Sequence, residues 1–118
     1  MKTSVKFSKG DELIALTAST YPNQQQRRLG EVVVVNMVLY CFHCGNSYIS
    51  FSGNVSAPFN FNCKGCSVVL TSGCFEVTDS RHFCHVEDAD QVLQIALKEE
   101  DYNKAIAIRE YYKSLKPV

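Results

Sequence analysis

The chain has 118 residues, twelve basic and twelve acidic side chains, and no net charge. That is the length of one compact unit, or of one small domain with an appendage. A neutral balance excludes both a global basic field for nucleic acid and an acidic mimic of it.

The first forty residues hold five basic and three acidic groups. Within them Leu13, Ala15 and Thr17 alternate with Ile14 and Leu16 after Gly10-Asp11, which predicts a strand. Tyr21 to Arg28 reads as a loop, turned at Pro22-Asn23. Gly30 leads into Glu31-Val32-Val33-Val34-Val35-Asn36-Met37-Val38-Leu39-Tyr40, a β-branched run that predicts one buried strand ending at Cys41. The near-apolar stretch from Val32 to Phe42 is broken by Asn36 and is too short to span a bilayer, so no membrane partner is expected. Lys2 and Lys6 are followed by no apolar signal core, and Ser114-Leu115-Lys116 is no terminal address, so no export is expected.

Tyr48 and Ile49 start a short strand, Gly53-Asn54 is a turn signal, and Phe59 and Phe61 alternate with asparagine on the return. Val68-Val69-Leu70 and Cys74-Phe75-Glu76-Val77 predict a further hairpin around Ser72-Gly73. After His85 the pattern becomes helical, and residues 85–118 hold seven acidic and five basic groups. Asp88 and Gln91 have the spacing of a capping box. Ala89, Val92, Leu93, Ala96 and Leu97 then form an amphipathic stripe. Asp101 is placed to cap a second helix whose face carries Ala105, Ile108, Tyr112 and Leu115. Lys113 and Lys116 suit its C-terminus, and Pro117 stops it. Two short helices with a tight connection predict a hairpin.

Four of the six cysteines carry the chemistry. Cys41-Phe42-His43-Cys44 and Cys63-Lys64-Gly65-Cys66 are two C-x-x-C pairs separated by eighteen residues. Each spacing aims two sulfurs at one point, and two such turns make a tetrahedral four-thiolate set for one structural Zn2+. Such a set leaves no coordination position for water and activates no nucleophile. Gly45 is expected to let backbone N–H groups approach the Cys44 sulfur. Unpaired thiols that bind metal place the chain in a reducing, cytoplasmic compartment; a secreted framework of three disulfides is the competing reading.

Cys74, His82, Cys84 and His85 form a looser group, read either as a second metal site or as core residues. His43 is expected to face solvent rather than replace a cysteine ligand. His85-Val86-Glu87 matches the H-x-E fragment of zinc deaminases, but both cysteine pairs precede it, and the match is read as chance. No nucleophile elbow or nucleotide-binding loop is present, so neither an enzyme nor a small-molecule substrate is expected.

The two-knuckle pattern over residues 38–78 resembles zinc-ribbon domains, a class that binds DNA, RNA, polymerases or other proteins. Residues Ala96 to Glu110 resemble the UVR motif, a helical hairpin of nucleotide excision repair proteins and of bacterial protein-arginine kinase activators. The matching elements are the acidic, acidic, aromatic turn, then Lys104-Ala105, then Ile108-Arg109-Glu110. The family usually has two alanines where Ala105-Ile106 stands and aspartate where Glu110 stands. The resemblance implies a protein-docking element.

The expected fold is α+β: a β-rich zinc-ribbon part over residues 1–85 and a helical hairpin over 86–118. The expected function is that of a non-catalytic adaptor or regulator binding another protein, with Glu99, Glu100, Tyr102 and Arg109 as contacts. In the alternative, Arg27, Arg28 and Lys64 contact nucleic-acid phosphates and Tyr48, Phe51, Phe59 and Phe61 are available for base stacking; as core residues of a small ribbon, the aromatics would instead be buried. A third reading is a metal-stapled subunit of a larger assembly.

Overall fold

A computed structural model of the chain describes residues 6–19, 25–51, 60–73 and 77–115. The turns expected at Pro22-Asn23 and Gly53-Asn54, Phe59, Cys74 to Glu76, and the stop at Pro117 lie outside the described residues.

The fold is α+β, and its core follows from the alternation in β1 (Glu12–Ala15). Leu13 and Ala15 point to one side, and Ile14, with Leu16 just beyond the strand, to the other. All four are buried, so β1 is the middle strand of a sheet covered on both faces. Its antiparallel neighbours are β2 (Val32–Val34) and, counted ahead in chain order, β8 (Phe83–His85), with Leu13 opposite both Val33 and His85.

The face carrying Leu13, Ala15, Val33 and Phe83 packs on a second antiparallel sheet. There β4 (Ser47–Ser50) lies between β3 (Met37–Tyr40) and β7 (Thr78–Asp79). Alternation works again in β4. Ile49 faces the first sheet, and Tyr48 faces a two-stranded hairpin of β5 (Asn60–Asn62) and β6 (Val69–Thr71). The pairing described for β6 is with β5, Phe61 opposite Leu70.

On the outer face of the first sheet lie α1 (Ala89–Lys98) and α2 (Tyr102–Leu115), a packed helical pair that shares a core with Ile14, Leu16 and Cys84. Burial of Leu13, Ile14, Ile49 and Ile108 is complete, and each such side chain contributes about 1.5–3 kcal/mol.

Three local expectations need correction. The run from Glu31 to Tyr40 forms two strands, because Val35 N–H bonds Asp11 O at 2.9 Å in the first sheet while Asn36 N–H bonds Ser50 O at 2.7 Å in the second. The chain changes sheets at that step, and Val32, Val34 and Tyr40 are exposed rather than buried. Asp88 does stand at the α1 N-cap but makes no side-chain cap, since it is the last residue of a short 3₁₀ turn (Val86–Asp88) and its carboxylate lies 3.9 Å from His85 Nδ1. On α2 the buried face is Ala105, Ala107, Ile108 and Tyr111, with Tyr112 half-buried and Leu115 exposed.

Asp101 caps α2 as expected, its Oδ1 accepting from Lys104 N–H at 3.4 Å. The connection is a Schellman motif: Asp101 N–H reaches Ala96 O at 2.8 Å, and Glu100 N–H reaches Leu97 O at 3.3 Å. Glu100 takes the left-handed position at φ 59°, where glycine is usual.

Candidate metal centre

Each C-x-x-C pair sits in the turn between two strands, the first joining β3 to β4 and the second joining β5 to β6. The two turns are built alike. Cys41 N–H bonds Asn46 O at 2.8 Å and Gly45 N–H bonds Cys41 O at 2.9 Å; Cys63 N–H bonds Val68 O and Ser67 N–H bonds Cys63 O, both at 2.8 Å. Both turns need a left-handed residue directly after the second cysteine. Gly45 supplies it at φ 80°, and Ser67 supplies it at φ 67°. A Cβ on Gly45 would meet nothing within 4 Å, so its role is backbone conformation rather than the close approach expected. Close approach belongs to Gly65, where a Cβ would stand 3.0 Å from Cys44 Sγ.

The turns also aim N–H groups at sulfur. His43 and Cys44 serve Cys41, Asn46 serves Cys44, Gly65 and Cys66 serve Cys63, and Val68 serves Cys66. This array suits four thiolates around a divalent ion, whose excess negative charge needs donors.

The hairpins bring all four Sγ atoms within 4.8 Å of one another, with Cys41–Cys66 and Cys44–Cys63 at 3.5 Å. A tetrahedral thiolate site with metal–sulfur bonds of about 2.3 Å has sulfur–sulfur edges of about 3.8 Å. The four atoms therefore fit one tetrahedral, thiophilic ion. They do not fit disulfides, whose sulfurs stand about 2.05 Å apart, and the five described cysteines are all unpaired. Cys41 and Cys63 are buried, while Cys44 is exposed, so the site lies at the surface.

Without metal, the sulfurs hold their protons unequally. The Tyr48 hydroxyl, with the turn N–H groups, brings the Cys63 thiol down to about 6 against the effect of burial. Val68 N–H favours the Cys66 thiolate, but burial and the three neighbouring sulfurs outweigh it and push Cys66 up to about 12.

Among the described residues, these four are the one group of His, Cys, Asp or Glu placed to hold a metal ion. Of the looser group, Cys74 lies outside the described residues. Cys84 belongs to the helix-side core, where burial raises its thiol to about 11. His85 Nε2 stands 2.9 Å from Asp11 Oδ2, and its ring stacks on Phe7 at 4.8 Å. His82 is half-buried, and burial lowers its pKa. His43 is exposed.

The candidate contact residues divide by burial. Glu99, Glu100, Tyr102 and Arg109 are all exposed. Tyr102 and Arg109 share one face of α2, and Ile106 lies between them, 45% exposed and not singled out by the sequence pattern. Arg28 and Lys64 are exposed. Arg27 is buried: Nε and Nη2 each donate at 2.8 Å to Thr17, and Nη1 donates to Gln25 O at 3.2 Å. Its guanidinium also lies over the Phe83 ring at 5.5 Å. Tyr48 is buried, and Phe51 and Phe61 are half-buried against Phe83 and Tyr48.

No helix of the described residues is long and apolar enough to cross a membrane. Compared with protein-family models, curated proteins and solved structures, the chain matches none.

Proposed function

We propose that the protein is a non-catalytic zinc-binding adaptor or regulator that docks another protein in a reducing compartment. The convergence of four cysteine sulfurs within 4.8 Å supports this reading most strongly. Zinc is the natural ion for an all-thiolate tetrahedral set, and four protein ligands close its coordination sphere. Bound zinc would then staple two hairpins and supply no reactive water.

The docking part of the reading rests on the helical pair, with its resemblance to the UVR motif. Its exposed end offers the carboxylates of Glu99 and Glu100 beside an α2 face of Tyr102, Ile106 and Arg109. Aromatic and arginine side chains ringed by charge are the usual composition of a protein contact. The nucleic-acid alternative is left with Arg28 and Lys64, since Arg27 is engaged inside the fold.

The test is a Glu99→Lys/Glu100→Lys variant. It should fold and retain zinc like the wild type but lose the partner that the immobilised wild type captures and that free wild-type protein competes away. Unchanged capture would refute docking through this end.

A further inference from the structure

Tyr48 is almost wholly buried beneath the metal centre, and its ring is fixed edge-on against Phe61 at 4.7 Å. Its hydroxyl has three neighbours: Lys64 N–H at 2.7 Å, Asn46 Nδ2 at 3.0 Å and Cys63 Sγ at 3.3 Å. A phenol has one proton and two lone pairs. The Lys64 amide and the Asn46 amino group can only donate, so the hydroxyl accepts from both and its single proton goes to the Cys63 sulfur.

The Asn46 orientation is set in turn. Its Nδ2 also faces Asp79 Oδ2 at 3.4 Å, and a flipped amide would turn its oxygen against that carboxylate. Asp79 is anchored by Arg81, through Nη2 at 2.7 Å, Nε at 3.1 Å and the backbone N–H at 2.9 Å. A chain of hydrogen bonds thus runs from Arg81 to a sulfur ligand. It also crosses the centre, since Asn46 leaves the first C-x-x-C turn while Lys64 lies in the second.

From this geometry we infer that Tyr48 is a positioning residue of the metal centre, holding the Cys63 sulfur through a hydroxyl that Asn46 and Asp79 keep in orientation. The inference rests on the four-cysteine site binding metal. A donor to a thiolate ligand stabilises its charge and fixes its direction, and loss of such outer partners typically costs about 10–100-fold in metal affinity.

The experiment measures zinc transfer from the folded chain to a chromogenic chelator, together with the thiolate-to-metal absorption of the Co2+ form. Tyr48→Phe should weaken zinc retention about 10–100-fold and shift the Co2+ charge-transfer band. Asp79→Asn should weaken retention less in the wild-type chain and add nothing in the Tyr48→Phe background, because it acts through Tyr48. Tyr111→Phe, a buried tyrosine of the helix-side core, should leave both readouts unchanged. If Tyr48→Phe fails to fold, Asn46→Ala and Asp79→Asn carry the test through the same two readouts. Wild-type zinc retention and an unshifted band in the variants would overturn the inference. A wild-type chain that takes up no zinc would instead refute the metal centre itself, and this inference with it.

Discussion

Gly30, in the turn leading into β2, lies directly against α2, and Gly30→Ala measures that contact. The residue has φ 82° and its N–H bonds Ala15 O at 2.8 Å. A Cβ there would stand 2.7 Å from Ala107 O, 2.8 Å from Glu110 Cβ and 2.9 Å from Tyr111 N. Two of these atoms are helix backbone and cannot rotate away. Left-handed backbone costs a non-glycine residue about 1 kcal/mol, and forcing an atom into a packed interface costs about 1–3 kcal/mol. The stiffer unfolded chain returns about 0.4–1 kcal/mol, so the net loss should be about 1–3.6 kcal/mol. Urea unfolding of the zinc-loaded chain, followed by far-ultraviolet circular dichroism, reads this directly. Gly10→Ala is the control, because Gly10 has φ 93° with nothing within 4 Å of its Cβ position. It should cost only the backbone part less the same unfolded-chain return, about 0–0.6 kcal/mol. Equal losses in the two variants would refute the packing of α2 on Gly30.

Other outcomes follow from single residues. Ser67→Gly and Glu100→Gly each relieve a left-handed non-glycine residue, at φ 67° and φ 59°. Because the looser unfolded chain takes back about 0.4–1 of the roughly 1 kcal/mol relieved, each should raise stability by about 0–0.6 kcal/mol in urea unfolding. Arg27→Met strips hydrogen bonds from Thr17 and Gln25 and should cost about 1.5–3 kcal/mol while leaving zinc content unchanged. Metal uptake should depend on pH because the ligands bind as thiolates. With Cys66 pushed up to about 12 and Cys44 also raised, both are protonated near pH 7.5, whereas Cys63 at about 6 is already ionised. Zinc should therefore displace at least about two protons per site, visible with an indicator dye in weak buffer, and apparent affinity should rise with pH.

The metal set was legible in the sequence because C-x-x-C spacing is a local property that one turn of chain satisfies. The two faces of β1 and the helical pair were legible for the same reason, through periods of two and of about 3.6 residues. What escaped depends on partners distant along the chain. Nothing between Val32 and Tyr40 announces a change of sheets except Asn36, whose N–H finds Ser50 rather than the first sheet. Arg27 reads like its exposed neighbour Arg28 until Thr17 and Phe83 are brought beside it. Tyr48 reads as an ordinary core aromatic, and only the meeting of both cysteine turns gives its hydroxyl three partners. Ser67 was legible in principle, since it follows Cys66 as Gly45 follows Cys44.

Metal content per chain, paired with thiol titration before and after chelation under reducing conditions, decides whether the four cysteines hold a metal. One zinc per chain is expected, with four thiols protected while zinc is bound and those four released, with loss of the hairpin structure, on chelation. A folded chain that carries no metal and exposes all its thiols would contradict the metal centre.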